Sequence, residues 1–238
     1  MSVWAFLLLC PVVLVGSLLQ GAIGFGLGLI AAPVVAIIAP SLVPVVLLVL
    51  ACVVTSTVLV LDGAHLDLRG TGWALVGRVP GTVGGAVLVA VLPAKPLALL
   101  VVLMVVVGVV ASLRGFQPRP TRSAVVVAGA VSGLMGTATS IGGPPMAMVW
   151  QRFAGPRLRS TMGAFFLVGS ALSLIALTVS GSVDFHTLRY ALFLAPAAAL
   201  GVVLARPVGK RLDVRRTRIT AMALAVTGAG ILLVRQFG

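Results

Sequence analysis

The chain has 238 residues, 60% of them hydrophobic and 9% charged, with a mean hydropathy of +1.23. A soluble domain carries about 25% charged residues, so the composition excludes a water-solvated globule and predicts an all-α protein whose solvent is lipid. The 17 Lys and Arg stand against 4 acidic residues. In a soluble protein that excess would suggest nucleic acid, but here the basic residues lie between apolar runs, where the positive-inside rule accounts for them, and no nucleic-acid partner is expected.

The first segment, near 3–20, begins with "MSVWAFLLLC". It lacks a positively charged leading region, so it reads as a membrane segment and not as a cleaved signal. The stretch "GAIGFGLGLIAAP", Gly21–Pro33, then interrupts the apolar run with glycine and proline, both poor residues for a helix interior. Further apolar segments run near 28–39, 42–61, 71–92, 96–113, 122–138, 142–152, 160–180, 187–205 and 218–235. A spanning helix needs about 20 apolar residues. All the segments meet that length, some with little to spare, except 28–39 and 142–152. Cys10 and Cys52 lie within apolar runs and read as small hydrophobic residues. Trp4, Trp73 and Trp150 fall near segment ends, as interfacial aromatics do.

The two short segments hold the same place in each half. Each follows a glycine-rich break, "GAIGFGLG" and then "GTATSIGG". At an offset of about 116 residues, Gly26 meets Gly142, Pro80 meets Pro196 and Gly85 meets Gly201. The expected fold is therefore two transmembrane repeats, 1–113 and 122–238, joined by a basic cytoplasmic linker at 114–121. Each repeat has four long helices and one short broken or re-entrant helix. Basic clusters at Arg114–Arg122, Arg152–Arg159 and Arg206–Arg218 belong inside. That places loop 62–69 inside, 93–95 and 181–186 outside, and both termini outside. The repeats are then inverted, a recurrent secondary-transporter design with its site near the midplane.

Irregular backbone at membrane depth is tolerated where it is buried in protein or lines a polar cavity. A short helix starting there aims its N–H groups and positive dipole end at that cavity. The glycines could instead serve close helix packing, but their matched places in two halves favour a substrate site. Pro144 and Pro145 suit the first turn of the second short helix. Thr137, Thr139 and Ser140 could donate to an anion or bond their own backbone. Gln20 reads as a site donor or as a partner for a freed carbonyl. Arg78 is the one ionisable residue well inside a long span, and it either contacts an anion, acts as a gate, or snorkels to nearby headgroups. The candidate substrate-binding residues are Gln20, Gly24, Phe25, Gly26, Gly28, Arg78, Thr139, Ser140, Gly142, Gly143 and Pro144. Asp62, His65 and Asp67 in one loop and Asp184 and His186 in another lack a zinc spacing. They read as solvated, so no metal and no cofactor is expected. The cluster 206–218 serves inside anchoring, with anionic lipid headgroups as its other partner.

The stretches "LLQGAIGFGLGLIAAPVV" and "GLMGTATSIGGPPMAMVW" resemble the paired signature stretches of the sulfite exporter TauE/SafE family, the TSUP transporters. The residues that carry the resemblance are Gln20, Gly21, Gly24, Phe25, Gly26 and Pro33 in the first copy. In the second they are Gly136, Gly142, Gly143, Pro144 and Pro145. The resemblance implies a multi-pass carrier of small sulfur-containing anions such as sulfite, thiosulfate or organosulfonates, in the bacterial cytoplasmic membrane. This sequence departs from it in two ways: "GFGLG" stands where many members have three consecutive glycines, and Arg78 falls in a span expected to be uncharged. An anion channel shares the same glycine breaks and is the alternative. No G-x-S-x-G, no H-E-x-x-H and no paired intramembrane aspartates occur, so an enzyme is not expected. Membrane lipid is the other expected partner, and a homo-oligomer is compatible with the sequence.

Overall fold

The computed structural model describes residues 3–113, 119–150, 152–153 and 155–209, and in the C-terminal stretch 222–223, 226–231 and 233–234. Among these the chain is helical, with no strand. The helices are α1 (Val3–Ile23), α2 (Leu27–Ile38), α3 (Val45–Asp62), α4 (Leu68–Val91), α5 (Ala94–Leu113), α6 (Arg122–Thr139), α7 (Gly143–Val149), α8 (Gly155–Val179) and α9 (Phe185–Gly209). Most of the expected linker 114–121 and of the basic cluster 206–218 lies outside the described residues, and the last expected segment, 218–235, is described only in part.

Among the described residues, five helical stretches are long and apolar enough to cross a membrane: Trp4–Ile23, Val45–His65, Leu68–Val91, Gly155–Val179 and His186–Pro207. Their outward faces are apolar too. Val76, Val79, Val83 and Val87 stand at least half-exposed along one stripe of α4, a surface that suits lipid and not water. This is an integral membrane protein. The two short segments are present as α2, with 12 residues, and α7, with only 7. Neither can span a bilayer.

Glycine spacing sets the tightest helix contact. Gly77, Gly81 and Gly85 on α4 recur every fourth residue and press on the backbone carbonyls of Val126, Ala130 and Leu134 of α6. Gly129 and Gly133 on α6 return the contact against the carbonyls of Ala74 and Arg78. Small residues let helix backbones approach where there is no hydrophobic force to drive them together. A second pair, α1 with α9, packs through Gly201 against the Leu14 carbonyl and Gly21 against Val202 and Ala205. Between these pairs, α3 lies on α8, α4 also lies on α8, and α3 also lies on α9. The short helices α2 and α7 pack on α1 and α6 respectively.

Two sequence expectations are corrected here. Trp150 is not interfacial: it is 1% exposed and packs edge-on to Phe165 at 5.8 Å. Trp150 caps the C-terminus of α7 and turns into the helix bundle and not outward. Asp62 is not a solvated loop acid. Its carboxylate accepts from Arg159 Nε at 2.7 Å and from an Arg206 terminal nitrogen at 3.1 Å, tying the end of α3 to α8 and α9. Trp4 is exposed, and Trp73 is partly exposed beneath the Arg122 guanidinium at 5.3 Å.

Candidate functional site

The two breaks meet. Gly28, in the first turn of α2, lies against the carbonyl of Ser140, and Gly143, the first residue of α7, lies against the Phe25 ring. A side chain at either glycine would collide with the other break. Gly26 caps α2 and Gly142 caps α7. Between them is a small cavity of ≈ 40 Å³. By that measure one water needs about 10–15 Å³, so the space holds a few water-sized atoms.

The cavity is lined by Gln20, Phe25, Gly26, Gly28, Arg78, Ser140, Gly142, Gly143 and Pro144 of the sequence-predicted residues. Gly24 and Thr139 are not among the lining residues. Gly24 packs on the Met162 side chain. The Thr139 hydroxyl donates to the Met135 carbonyl at 2.7 Å and accepts from the Ile141 N–H at 3.3 Å. Thr137 shares a hydrogen bond of 2.7 Å with Ser173. The Ser140 hydroxyl donates to the Pro44 carbonyl at 3.1 Å. The hydroxyls of the second break are thus taken up by the protein. Gln20 accepts, through Oε1, the Leu27 N–H at 3.2 Å. It therefore partners a freed helix-start N–H, while it also lines the cavity. The first α-helical bond of α2 that follows runs from the Ile30 N–H to the Gly26 carbonyl. Gly28 and Leu29, whose N–H groups precede that bond, both line the cavity.

Arg78 decides the electrostatics. It sits ten residues into α4, roughly 15 Å along the helix at 1.5 Å per residue, and it is 1% exposed. Snorkelling is excluded by that burial. One terminal nitrogen donates to Ser132 Oγ at 3.2 Å, and Ser132 donates in turn to the Gly142 carbonyl at 2.6 Å. The guanidinium lies 4.8 Å from the Phe165 ring centre and 5.8 Å from that of Phe166. Each such face-on contact contributes about 2 kcal/mol when desolvated. Arg78 Nε is buried without a hydrogen-bond partner. No acidic side chain pairs with Arg78 among the described residues, and none lines the cavity. A guanidinium does not deprotonate in a protein, so the cavity carries one uncompensated positive charge.

Sequence reasoning missed the cradle around that charge. Ser132 comes from α6, and Phe165, Phe166, Gly169 and Ser170 come from α8. A side chain at Gly169 would collide with the guanidinium in the position it now holds. No local signal marks these residues, which are common types in membrane helices. Among the described residues no group of His, Cys, Asp and Glu is placed to hold a metal ion.

The family model described as Sulfite exporter TauE/SafE matches residues 9–232, nearly the whole chain. No curated protein and no solved structure matches it. The chain belongs to the TauE/SafE family.

Proposed function

We propose that this TauE/SafE member exports a small sulfur-containing anion, such as sulfite, thiosulfate or an organosulfonate, across a bacterial cytoplasmic membrane. The anion binds where the breaks before α2 and α7 meet. It is held by Arg78, the start of α2 and the backbone of Gly142 and Gly143. Transport proceeds by alternating access between two inverted repeats, 1–113 and 122–238, joined by a cytoplasmic linker at 114–121, with both termini outside.

The observation that carries this reading is Arg78, a buried cation with an unpartnered Nε and no counter-ion among the described residues, in a cavity shared by both breaks. An unpaired charge at membrane depth costs several kcal/mol and marks a substrate path or a partner. A bound anion removes that cost. The two-repeat reading draws support from the packing. The fourth helix of each half, α4 or α9, lies along the first helix of the other, α6 or α1. Gly85 and Gly201, which match at the repeat offset, each sit in one of those contacts. Export also follows from the membrane potential, since an anion leaving a negative interior gains about 2.3 kcal/mol per charge per 100 mV.

The test is thermal unfolding of the purified protein with sulfite, thiosulfate, sulfate, sulfoacetate, taurine and chloride, followed by flux into liposomes. A sulfur anion at 100 times its Kd should add about 2.7 kcal/mol of stability. A carrier shows saturable flux and counterflow. Linear flux without counterflow points to a channel, and no stabilisation by any of these anions removes the sulfur-anion assignment.

A further inference from the structure

A second cavity opens at the end of the bundle where α3 and α9 finish and α8 begins. It is lined by Gly21, Ala22, Asp62, Arg159, Ala205, Arg206 and Pro207. Two guanidiniums converge there on one carboxylate. Arg159 Nε reaches one oxygen of Asp62 at 2.7 Å, and Arg206 reaches the other at 3.1 Å. Arg206 also donates to the Leu61 carbonyl. The cluster keeps one positive charge in excess, and the Arg206 side chain is 49% exposed.

Its position relative to the central cavity matters. Gly21 and Ala22 line this cavity, whereas Gln20, the preceding residue of α1, lines the central one. The two spaces lie on either side of the same short run of α1. Two residues further along the chain from Ala22, the Gly24 backbone packs on an apolar layer formed by Leu158 and Met162 of α8. Arg159 therefore sits one residue from that layer on the same helix.

We propose that Arg159 and Arg206 form a second, outlying anion site at the mouth of the route, for the same class of ligand as the central cavity, a small oxyanion. Asp62 acts there as a built-in competitor. It holds the two guanidiniums in place when the site is empty and yields a share of them to an arriving anion. The excess positive charge of the cluster raises the local concentration of anions, so the site loads the central cavity. The role rests on the transport reading, but the binding does not.

The test uses the purified full-length chain with Cys10 and Cys52 changed to Ala. An Ala22→Cys substitution carries a fluorophore, and iodide serves as the anion probe. Arg206→Gln should lower the iodide quenching constant about threefold, and Asp62→Asn should raise it. Quenching by neutral acrylamide should stay the same in both. Unchanged iodide quenching in Arg206→Gln overturns the site. A parallel change in acrylamide quenching also overturns it, because access and not charge would then have changed. In liposomes, Arg206→Gln should raise KM for the transported anion several-fold at low salt with kcat kept, and an unchanged KM removes the loading role. Absence of flux for every sulfur anion sinks the transport reading alone, since the iodide experiment needs no flux.

Discussion

The break before α2 and the break before α7 hold irregular backbone at membrane depth by different means. Before α2, Gly24 and Gly26 take positive φ of 87° and 149°, and the Gln20 side chain reaches back to the Leu27 N–H. Before α7, Ser140 alone turns left-handed, at φ 63°, and the surrounding hydroxyls bond to Met135, Pro44 and Ser173. Pro144 and Pro145 then remove two N–H groups from the first turn of α7, since proline has none. The first break keeps a helix start with donors beside the cavity. The second commits its hydroxyls to neighbouring helices and carbonyls and brings the backbone of Gly142 and Gly143 to the cavity. Arg78 supplies the positive charge on that side, tied to the second break through Ser132 and the Gly142 carbonyl. The two breaks thus do unequal work, and their chemistry is lopsided.

That lopsidedness is most sharply tested at Arg78. Arg78→Gln keeps much of the side-chain volume and removes the charge. It should lower kcat/KM for the transported anion at least about a hundredfold, which corresponds to about 2.7 kcal/mol, and abolish stabilisation by that anion. Retention of anion-dependent stabilisation in Arg78→Gln would show that the helix starts alone suffice and that the two breaks are chemically equal. The variant should still insert, because the loss of the Ser132 bond and of the Phe165 and Phe166 ring contacts is countered by removing an unpaired buried charge.

Gly26→Ala comes next. A Cβ there would lie 2.9 Å from the Leu19 Cβ and the backbone sits at φ 149°, a conformation that only glycine adopts without strain. The expected loss is about 2–4 kcal/mol of stability, read as a fall in melting temperature. Gln20→Leu is milder. It is close in size but leaves the Leu27 N–H buried without an acceptor, at about 1–3 kcal/mol. A neutral Gln20→Leu would mean that the first break needs no capping side chain and is as self-sufficient as the second.

The sequence carried the breaks well because glycine and proline punctuate an otherwise apolar text. Gly26 and Gly142 were matched at a fixed offset, and both prove to be helix caps. Arg78 stood out as the lone charge within a span. What escaped was everything that depends on which helices touch. Ser132 lies 54 residues from Arg78, and the partners of Asp62 lie 97 and 144 residues away. Gly169 looks like any small residue in a membrane helix until the guanidinium is seen lying against it. Trp150 obeyed the rule for segment ends and still went inside, because tertiary packing overrides a one-dimensional rule.

The smallest effect is expected at Ser140, and it is the most telling for the comparison. Ser140 is the counterpart of the positive-φ glycines in the first break, yet it is not a glycine. Its left-handed backbone costs about 1–2 kcal/mol relative to a right-handed one, and glycine escapes that cost. Against this, the hydroxyl bond to the Pro44 carbonyl contributes about 0.5–1.5 kcal/mol net. Ser140→Gly trades one for the other, so its stability should stay within about 0.5 kcal/mol of the parent. Gly26→Ala makes the reverse exchange with no hydroxyl to gain and a collision to absorb, and loses several times more. Equal losses from the two substitutions would mean that Ser140 is held by its hydroxyl as firmly as Gly26 is held by its lack of a side chain. The second break would then be a built polar element and not a turn that happens to carry serine.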